Sequence, residues 1–536
     1  MVSISPVNVP PSLYWDGIDG AWSTFHVQVG TPGQVLRLLP GTSASAGDTT
    51  VSVFRTVSSI AGKSDECLQW VIRPEGCEQA NPGLEGCDDS RGLLFDPKKS
   101  TSWTTERLDN GGLFKLNTYY EGFLNLTGNA YYGFETLALG LPGSDLPLLE
   151  HQVVAGIATN NYWIGSLGLS PIPFNFSTLN DSTSSRDPQP SFLDELKNHS
   201  MIPSPSWAYT AGAAYLPNPV FGSLVLGGYD TSRFVANNVT FAFAADFSRD
   251  LTVYLQSVSY DTIGSSPLLT ESIPIFINSM VTHLWLPIDV CQRFEEAFNL
   301  TWSDKAQLYL VDDESHSRLS SLNPTLTFTI GHDTKEGGSV EIALPYGAFD
   351  LSGSPPFVDP PSRYFPLKRA ERADQYTLGR VFLQGAYVVT DYERQSFSVS
   401  QALFPDASRM SNKTIVAIEA PGTKRTSKPS AGTIAGAVVG AVVGIILIVM
   451  GILWLIRQRK RKGHIVATEE TYTDKDYRGE EELDSQESQV HEMEHTRHKG
   501  SELDGESTGL MELDPQMAQK VELSSGEDVS QRHELP

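Results

Sequence analysis

Ser23-Thr24-Phe25-His26-Val27-Gln28-Val29-Gly30 runs into Thr31-Pro32-Gly33-Gln34, and Val35-Leu36-Arg37-Leu38-Leu39-Pro40 then leads to Gly41-Thr42-Ser43-Ala44-Ser45. A β-rich run ends in a Gly/Thr/Pro turn and a second apolar run follows, which reads as strand, turn, strand. Outward from this stretch the pattern repeats. Short β-rich runs such as SLVLGGY, LTVYLQSVSY, SVEIALPY and AYVVTDY alternate with Gly, Pro, Asn and Asp turns. Few stretches sustain a 3.6-residue period. The best are Ser191 to His199 (SFLDELKNH) and Asp289 to Leu300 (DVCQRFEEAFNL), so the chain up to about residue 403 reads as mostly β with a few short helices.

Composition bounds the rest. The chain has 536 residues, 40% apolar and 19% charged, which suffices for a real core in two or three domains and excludes wholesale disorder. Four cysteines are too few for a disulfide-framework miniprotein. The formal charge of −25 repels phosphate backbones and argues against a nucleic-acid partner.

Residues 434–456 (IAGAVVGAVVGIILIVMGILWLI) are 23 residues without a charge, about 34 Å as a helix. Arg457, Arg459, Lys460, Arg461 and Lys462 follow at once, a basic block that belongs on the cytoplasmic side and suits anionic inner-leaflet lipid. The reading is one transmembrane helix with the N-terminus outside, in the plasma membrane or a secretory-pathway membrane. Residues 457–536 carry 11 basic and 20 acidic residues, leaving 28 and 44 for the rest, and read as a disordered acidic cytoplasmic tail. Residues 404–433 have linker composition and read as a stalk. Seven sequons, at Asn125, Asn175, Asn180, Asn198, Asn238, Asn299 and Asn412, all precede the span, as a glycoprotein ectodomain requires. The opening MVSISPVNVPPSLYWDG has neither a basic n-region nor an apolar h-region, so the expectation is that the start is incomplete or misassigned.

Five segments between Gly30 and Tyr392 together resemble the pepsin-family (A1-type) aspartic proteases. Gly30-Thr31-Pro32-Gly33-Gln34 resembles the family's G-T-P-x-Q turn, which leads into a strand ending in the catalytic D-T-G-S. Tyr162 to Leu169 (YWIGSLGL) resembles the segment crossing the first catalytic loop. Gly222 to Phe234 (GSLVLGGYDTSRF) is similar to the G-x-L-x-x-G-G-x-D hairpin. Ile275 to Pro287 (IFINSMVTHLWLP) sits where the second D-T/S-G belongs, and Tyr376 to Tyr392 (YTLGRVFLQGAYVVTDY) is similar to the closing segment. With its span and acidic tail, the chain is similar to the membrane-anchored aspartic-protease-like proteins of filamentous fungi. The resemblance implies a bilobal pepsin-like fold with a substrate cleft, an N-terminal β lobe over 1–205 and a C-terminal β lobe over 206–403.

The family's chemistry needs an aspartate from each lobe. Two carboxylates about 3 Å apart cannot both ionise, so they share a proton and act as base and acid on water and the peptide. On this alignment Gly41-Thr42-Ser43 and Asn278-Ser279 occupy the two catalytic stretches, so Gly41 and Asn278 replace the catalytic pair. Glycine has no side chain, and a carboxamide does not titrate near neutral pH. No D-T-G or D-S-G occurs in the chain, and Asp48, seven residues past Gly41, has no mate in the second half. Tyr120-Glu121-Gly122 is the nearest candidate for the family's Tyr-x-Gly flap tip. The reading is a non-catalytic peptide-binding, sensing or interaction protein (a pseudoprotease). The alternative is an active membrane-anchored aspartic endopeptidase.

Cys77 and Cys87 bracket a turn-rich segment and are expected to form a disulfide, leaving Cys67 and Cys291 paired with each other or free. Gly436, Gly440 and Gly444 form a GxxxGxxxG face suited to a homodimer. His491-Glu492-Met493-Glu494-His495 fits H-E-x-x-H, but in a charged tail without a core it reads as chance, so no metal or cofactor site is expected.

Overall fold

A computed structural model describes residues 4–43, 69–105, 108–116, 119–176, 187–261, 267–333, 338–405 and 414–422. The strand–turn–strand stretch folds as read. Trp22–Val29 buries Phe25, Val27 and Val29 while His26 and Gln28 point to the wetter face, the period-2 pattern of a strand covered on one side. Gly30 turns the chain at a φ of +99°, where a side chain is strained. Gln34–Gly41 then returns antiparallel, with Phe25 opposite Leu38 and Val29 opposite Gln34.

These two strands seed an eight-stranded sheet that forms the first lobe. Its order is Pro11–Asp16, Trp22–Val29, Gln34–Gly41, Ser166–Gly168, Gln69–Ile72, Leu148–Ile157, Asn129–Leu139 and Leu113–Lys115. Val27–Val29 also pairs with Leu137–Leu139, folding the sheet back on itself. The second lobe is built on seven strands: Ser339–Pro345, Thr325–Gly331, Thr252–Tyr260, Ile273–Ile277, Thr377–Leu378, Leu284–Pro287 and Leu367–Ala370. A six-stranded sheet underlies both, and it draws Val7–Val9 from the chain's start to pair with Val220–Leu226. The first strand thus pairs beyond the residue-205 boundary that the sequence suggests.

The expected helices form at Phe192–Asn198, capped by the Ser191 hydroxyl accepting from the Asp194 amide at 3.1 Å, and at Ile288–Phe298. A third, Asp313–Leu322, was not expected, because its serines and charges lack an apolar face, and Asp312 caps it by accepting from the Ser315 amide.

Cys77 and Cys87 are disulfide-bonded, closing a short loop whose entropy cost in the unfolded chain stabilises the fold by about 2–3 kcal/mol. Cys291 is a free, buried thiol whose pKa burial pushes up to about 12, and Cys67 lies outside the described residues. The expected stalk begins later than its composition suggests. Ile415–Ala417 pairs antiparallel with Gly228–Asp230, and the Ile418 amide donates to the Gly227 carbonyl, so the folded unit continues past residue 403. The strand, Ile-Val-Ala, is apolar and β-branched, but three residues are too few to carry an alternating pattern in the sequence.

Among the described residues no helix is long and apolar enough to cross a membrane. The segment 434–456, the Gly436/Gly440/Gly444 face, the tail with its H-E-x-x-H, and Asp48 lie outside the described residues. So do the sequons at Asn180 and Asn412. Asn125, Asn198, Asn238 and Asn299 are exposed.

Candidate functional site

The two loops singled out by sequence meet where the lobes face each other. In the first lobe Gln34–Gly41 runs parallel to Ser166–Gly168, with Gly41 in register with Gly168, and the Leu169 amide donates to the Gly41 carbonyl at 3.0 Å. In the second, Ile273–Ile277 runs parallel to Thr377–Leu378, and the Asn278 amide donates to the Leu378 carbonyl at 3.0 Å. The same strand-and-crossing arrangement holds Gly41 and Asn278.

Across the lobe boundary the next residues grip each other. The Thr42 amide donates to Ser279 Oγ at 3.0 Å, and the Ser279 amide donates to Thr42 Oγ1 at 2.9 Å. Ser279 Oγ also donates to the Pro40 carbonyl at 2.5 Å. All are buried, and a buried amide left unpaired costs about 1–3 kcal/mol, so each hydroxyl holds the opposite loop in place.

What the loops present differs. A Cβ placed on Gly41 would lie 2.4 Å from Ser166 Oγ and 3.4 Å from Met280 Sδ. The space beside Gly41 is therefore taken by a hydroxyl from its own lobe and a thioether from the other. Asn278 is fully buried; its Oδ1 accepts from the Met280 amide at 2.9 Å, and its Nδ2 donates to Glu121 Oε1 at 2.8 Å. Asn278 and Glu121 are thus paired as carboxamide and carboxylate.

Glu121 arrives on the hairpin between Leu113–Lys115 and Asn129–Leu139, whose tip forms the short helix Tyr119–Phe123. That helix is fastened to the second lobe. The Tyr120 hydroxyl donates to the Tyr376 carbonyl at 3.1 Å and shares a 2.5 Å hydrogen bond with Thr377 Oγ1. Its ring meets Phe276 edge to face at 4.7 Å, and Gln375 Nε2 donates to the Phe123 carbonyl at 2.7 Å. Burial holds the Tyr120 phenol well above its ordinary pKa, so it stays a neutral donor. With Glu121 only 2% exposed, the hairpin tip covers Asn278.

Beside this seal a cavity of about 630 Å³ opens between the lobes. Leu39, Leu124 and Met280 stand on its wall nearest the grip, and Tyr162, Trp163, Trp285, Trp302 and Phe357 give it aromatic walls. Its charged groups are Asp19, Asp304, Glu371, Lys368, Arg369 and Arg380. Arg380 reaches Asp19 at 3.4 Å and donates to the Ser279 carbonyl at 2.7 Å, tying the cavity to the grip. His283, also on the wall, is buried near Lys368 and Arg380, and both burial and those cations hold it well below its ordinary pKa. Among the described residues no group of three or more His, Cys, Asp or Glu could hold a metal ion.

Sequence reasoning found Gly41, Asn278 and the hairpin tip. It missed the Glu121–Asn278 pair and Met280 beside Gly41, since each joins residues far apart in the chain. Arg380 directly follows the Leu378-Gly379 crossing, a signal that could have placed it; Lys368 has none.

Comparison with known proteins places these features. The sequence model described as eukaryotic aspartyl protease matches residues 25–402. The chain is similar to barrierpepsin of Saccharomyces cerevisiae, 24% identical over 407 residues, covering 74% of this chain and 62% of that one. It is similar to aspartic proteinase 3 of the same yeast, 23% identical over 325 residues, covering 56% and 53%. It is also similar to aspartic proteinase sxa1 of Schizosaccharomyces pombe, 24% identical over 349 residues, covering 61% and 58%. The chain thus spans less than two thirds of the length of these relatives. Among solved structures, the aspartic proteinase from Irpex lacteus overlays with a TM-score of 0.47 at 16% identity, covering 75% of this chain and 99% of that one.

Proposed function

The chain belongs to the eukaryotic aspartyl protease family, and from that membership we propose that it is a non-catalytic member, a surface protein whose cleft binds peptide without cutting it. The observation that carries this reading is the pair at the cleft centre. Asn278 faces Glu121 at 2.8 Å, and the place beside Gly41 is filled by Ser166 and Met280. The family reaction needs two carboxyl groups sharing one proton, so that one takes a proton from water while the other gives one. A carboxamide can neither take nor release a proton at working pH. The carboxylate that faces Asn278, Glu121, rides on the hairpin tip that covers it. What remains is a walled cleft able to hold peptide by side-chain pockets and strand-like hydrogen bonds.

The proposal extends to topology. Residues 434–456 span a plasma or secretory-pathway membrane once, the sequons face outward, and the tail is cytoplasmic, available for partner contact. The Gly436/Gly440/Gly444 face pairs two copies, and a cysteine scan of that face giving no periodic crosslinking removes this part.

A second reading has one observation in its favour. Glu121 could serve as a lone general base, with Asn278 donating to the oxyanion, in an active endopeptidase. Full-length protein purified in detergent, incubated with quenched fluorescent peptides between pH 3 and 7, separates the two. The expected result is no cleavage above the blank. Cleavage lost in Glu121→Gln overturns the non-catalytic reading in favour of this one.

A further inference from the structure

The cavity beside the hairpin tip carries a charge that the protein leaves unanswered. Its wall holds three cations. Arg369 is matched by Glu295 at 2.8 Å and also donates from Nε to the Tyr309 hydroxyl at 2.9 Å. Arg380 is matched by Asp19. Lys368 has no carboxylate within ion-pair distance among the described residues; its ammonium donates to the Gln307 carbonyl. Neither of the wall's other acids is paired with Lys368: Asp304 accepts from Trp302 Nε1 at 3.0 Å, and Glu371 forms no ion pair among the described residues. Burial pushes the Lys368 ammonium down to about 8, the mark of a cation taken from water without a counter-charge.

The strand geometry aims this lysine at an apolar neighbour. Leu367–Ala370 runs parallel to Leu284–Pro287 with Lys368 in register with Trp285, so the two side chains leave the sheet together into the cavity. Trp302 stands on the same wall, stacked under the Arg369 guanidinium at 4.7 Å. A desolvated ammonium is stabilised most by an anion that brings its own apolar cover, because each then shields the other from water.

We propose that this cavity is an anion-reading pocket, in which Lys368 takes a carboxylate of a bound peptide while Trp285 and Trp302 hold the apolar or aromatic residue next to it. The inference rests on the peptide-binding reading of the cleft and adds the chemistry that selects the peptide. A terminal carboxylate and an acidic side chain offer Lys368 the same chemistry.

Isothermal titration of the full chain in detergent, with three acetylated hexapeptides sharing a Leu-Phe core, tests this. One ends in glutamine amide, one in glutamine with a free terminus, and one in glutamate amide. At least one acid peptide is expected to bind tenfold or more tighter than the neutral amide. Lys368→Met should abolish that preference, so that the acid peptides bind no tighter than the neutral amide, and Lys368→Arg should retain it. The acid peptide that wins identifies the carboxylate as terminal or side-chain. Equal binding of all three overturns the anion pocket while peptide binding in the cleft stands. Binding of none overturns both. An acid preference that survives in Lys368→Met also overturns the assignment.

Discussion

The two loops at the cleft centre share a scaffold and differ in what they carry. Each ends a strand that runs parallel to a crossing segment, at Gly168 for one and Leu378 for the other. Each gives the other a hydroxyl, from Thr42 and from Ser279. Beyond that the symmetry stops. The first presents a bare backbone packed by Ser166 and Met280, and the second presents a carboxamide bonded to a glutamate from the hairpin. The grip and the chemistry are therefore separable. Holding two loops together needs satisfied backbone amides, which the two hydroxyls supply, whereas the family's chemistry needs two titratable side chains, and these loops carry Gly41 and Asn278.

Four experiments press on the difference between the lobes. The largest effect is expected from their buried acids. Asp16 of the first lobe is paired with Arg37 at 2.8 Å, whereas Asp250 of the second accepts from the Leu251 amide at 2.8 Å and the Tyr392 hydroxyl at 3.3 Å and forms no ion pair among the described residues. Burial raises Asp250 to about 7. The folded state then holds a proton that the unfolded chain releases above its ordinary value of 3.8, so stability falls as pH rises from about 4 to 7. The full swing is on the order of 4 kcal/mol at about 1.4 kcal/mol per unit. Asp250→Asn should flatten that slope in denaturant titrations at pH 4, 5.5 and 7; an unchanged slope places the proton elsewhere.

Thr42→Val comes next, because it strips the buried Ser279 amide of its acceptor. A loss of about 1–3 kcal/mol is expected by calorimetry, and a smaller loss for Thr42→Ser, which keeps the oxygen. Asn278→Asp sharpens the comparison from the other side. It sets a second carboxylate against Glu121, so one of the pair must stay protonated. Stability should drop by about 1–2 kcal/mol at pH 7 and recover as pH falls, and adding Glu121→Gln should cancel the drop at pH 7. The smallest effect belongs to Tyr120→Phe. It removes the hydroxyl that fastens the hairpin to Thr377 and Tyr376, costing about 0.5–1.5 kcal/mol. The readout is faster amide exchange in Tyr119–Phe123 with the strands of both lobes unchanged.

Legibility followed sequence distance. Local features were readable because neighbours in the chain create them: the turn after Val29, the capped helix at Phe192–Asn198, the disulfide over ten residues, and the two loop positions. The late strand Ile415–Ala417 was hidden because its partner Gly228–Asp230 supplies the pairing. The unpaired charge of Lys368 was invisible for the same reason: whether a cation is matched depends on side chains contributed by other segments.

From sequence alone, the absence of D-T-G and D-S-G and the presence of Gly41 and Asn278 were determined, since a missing side chain stays missing in any conformation. The alternation of short strands with turns likewise set the β class, through periodicity that each segment carries within itself. Only the tertiary structure decided what stands beside those two residues. Glu121 meets Asn278 across 157 positions of chain, and Met280 from one lobe packs beside Gly41 of the other. Such contacts depend on how two sheets dock, and docking is settled by the summed burial of both cores rather than by any local stretch.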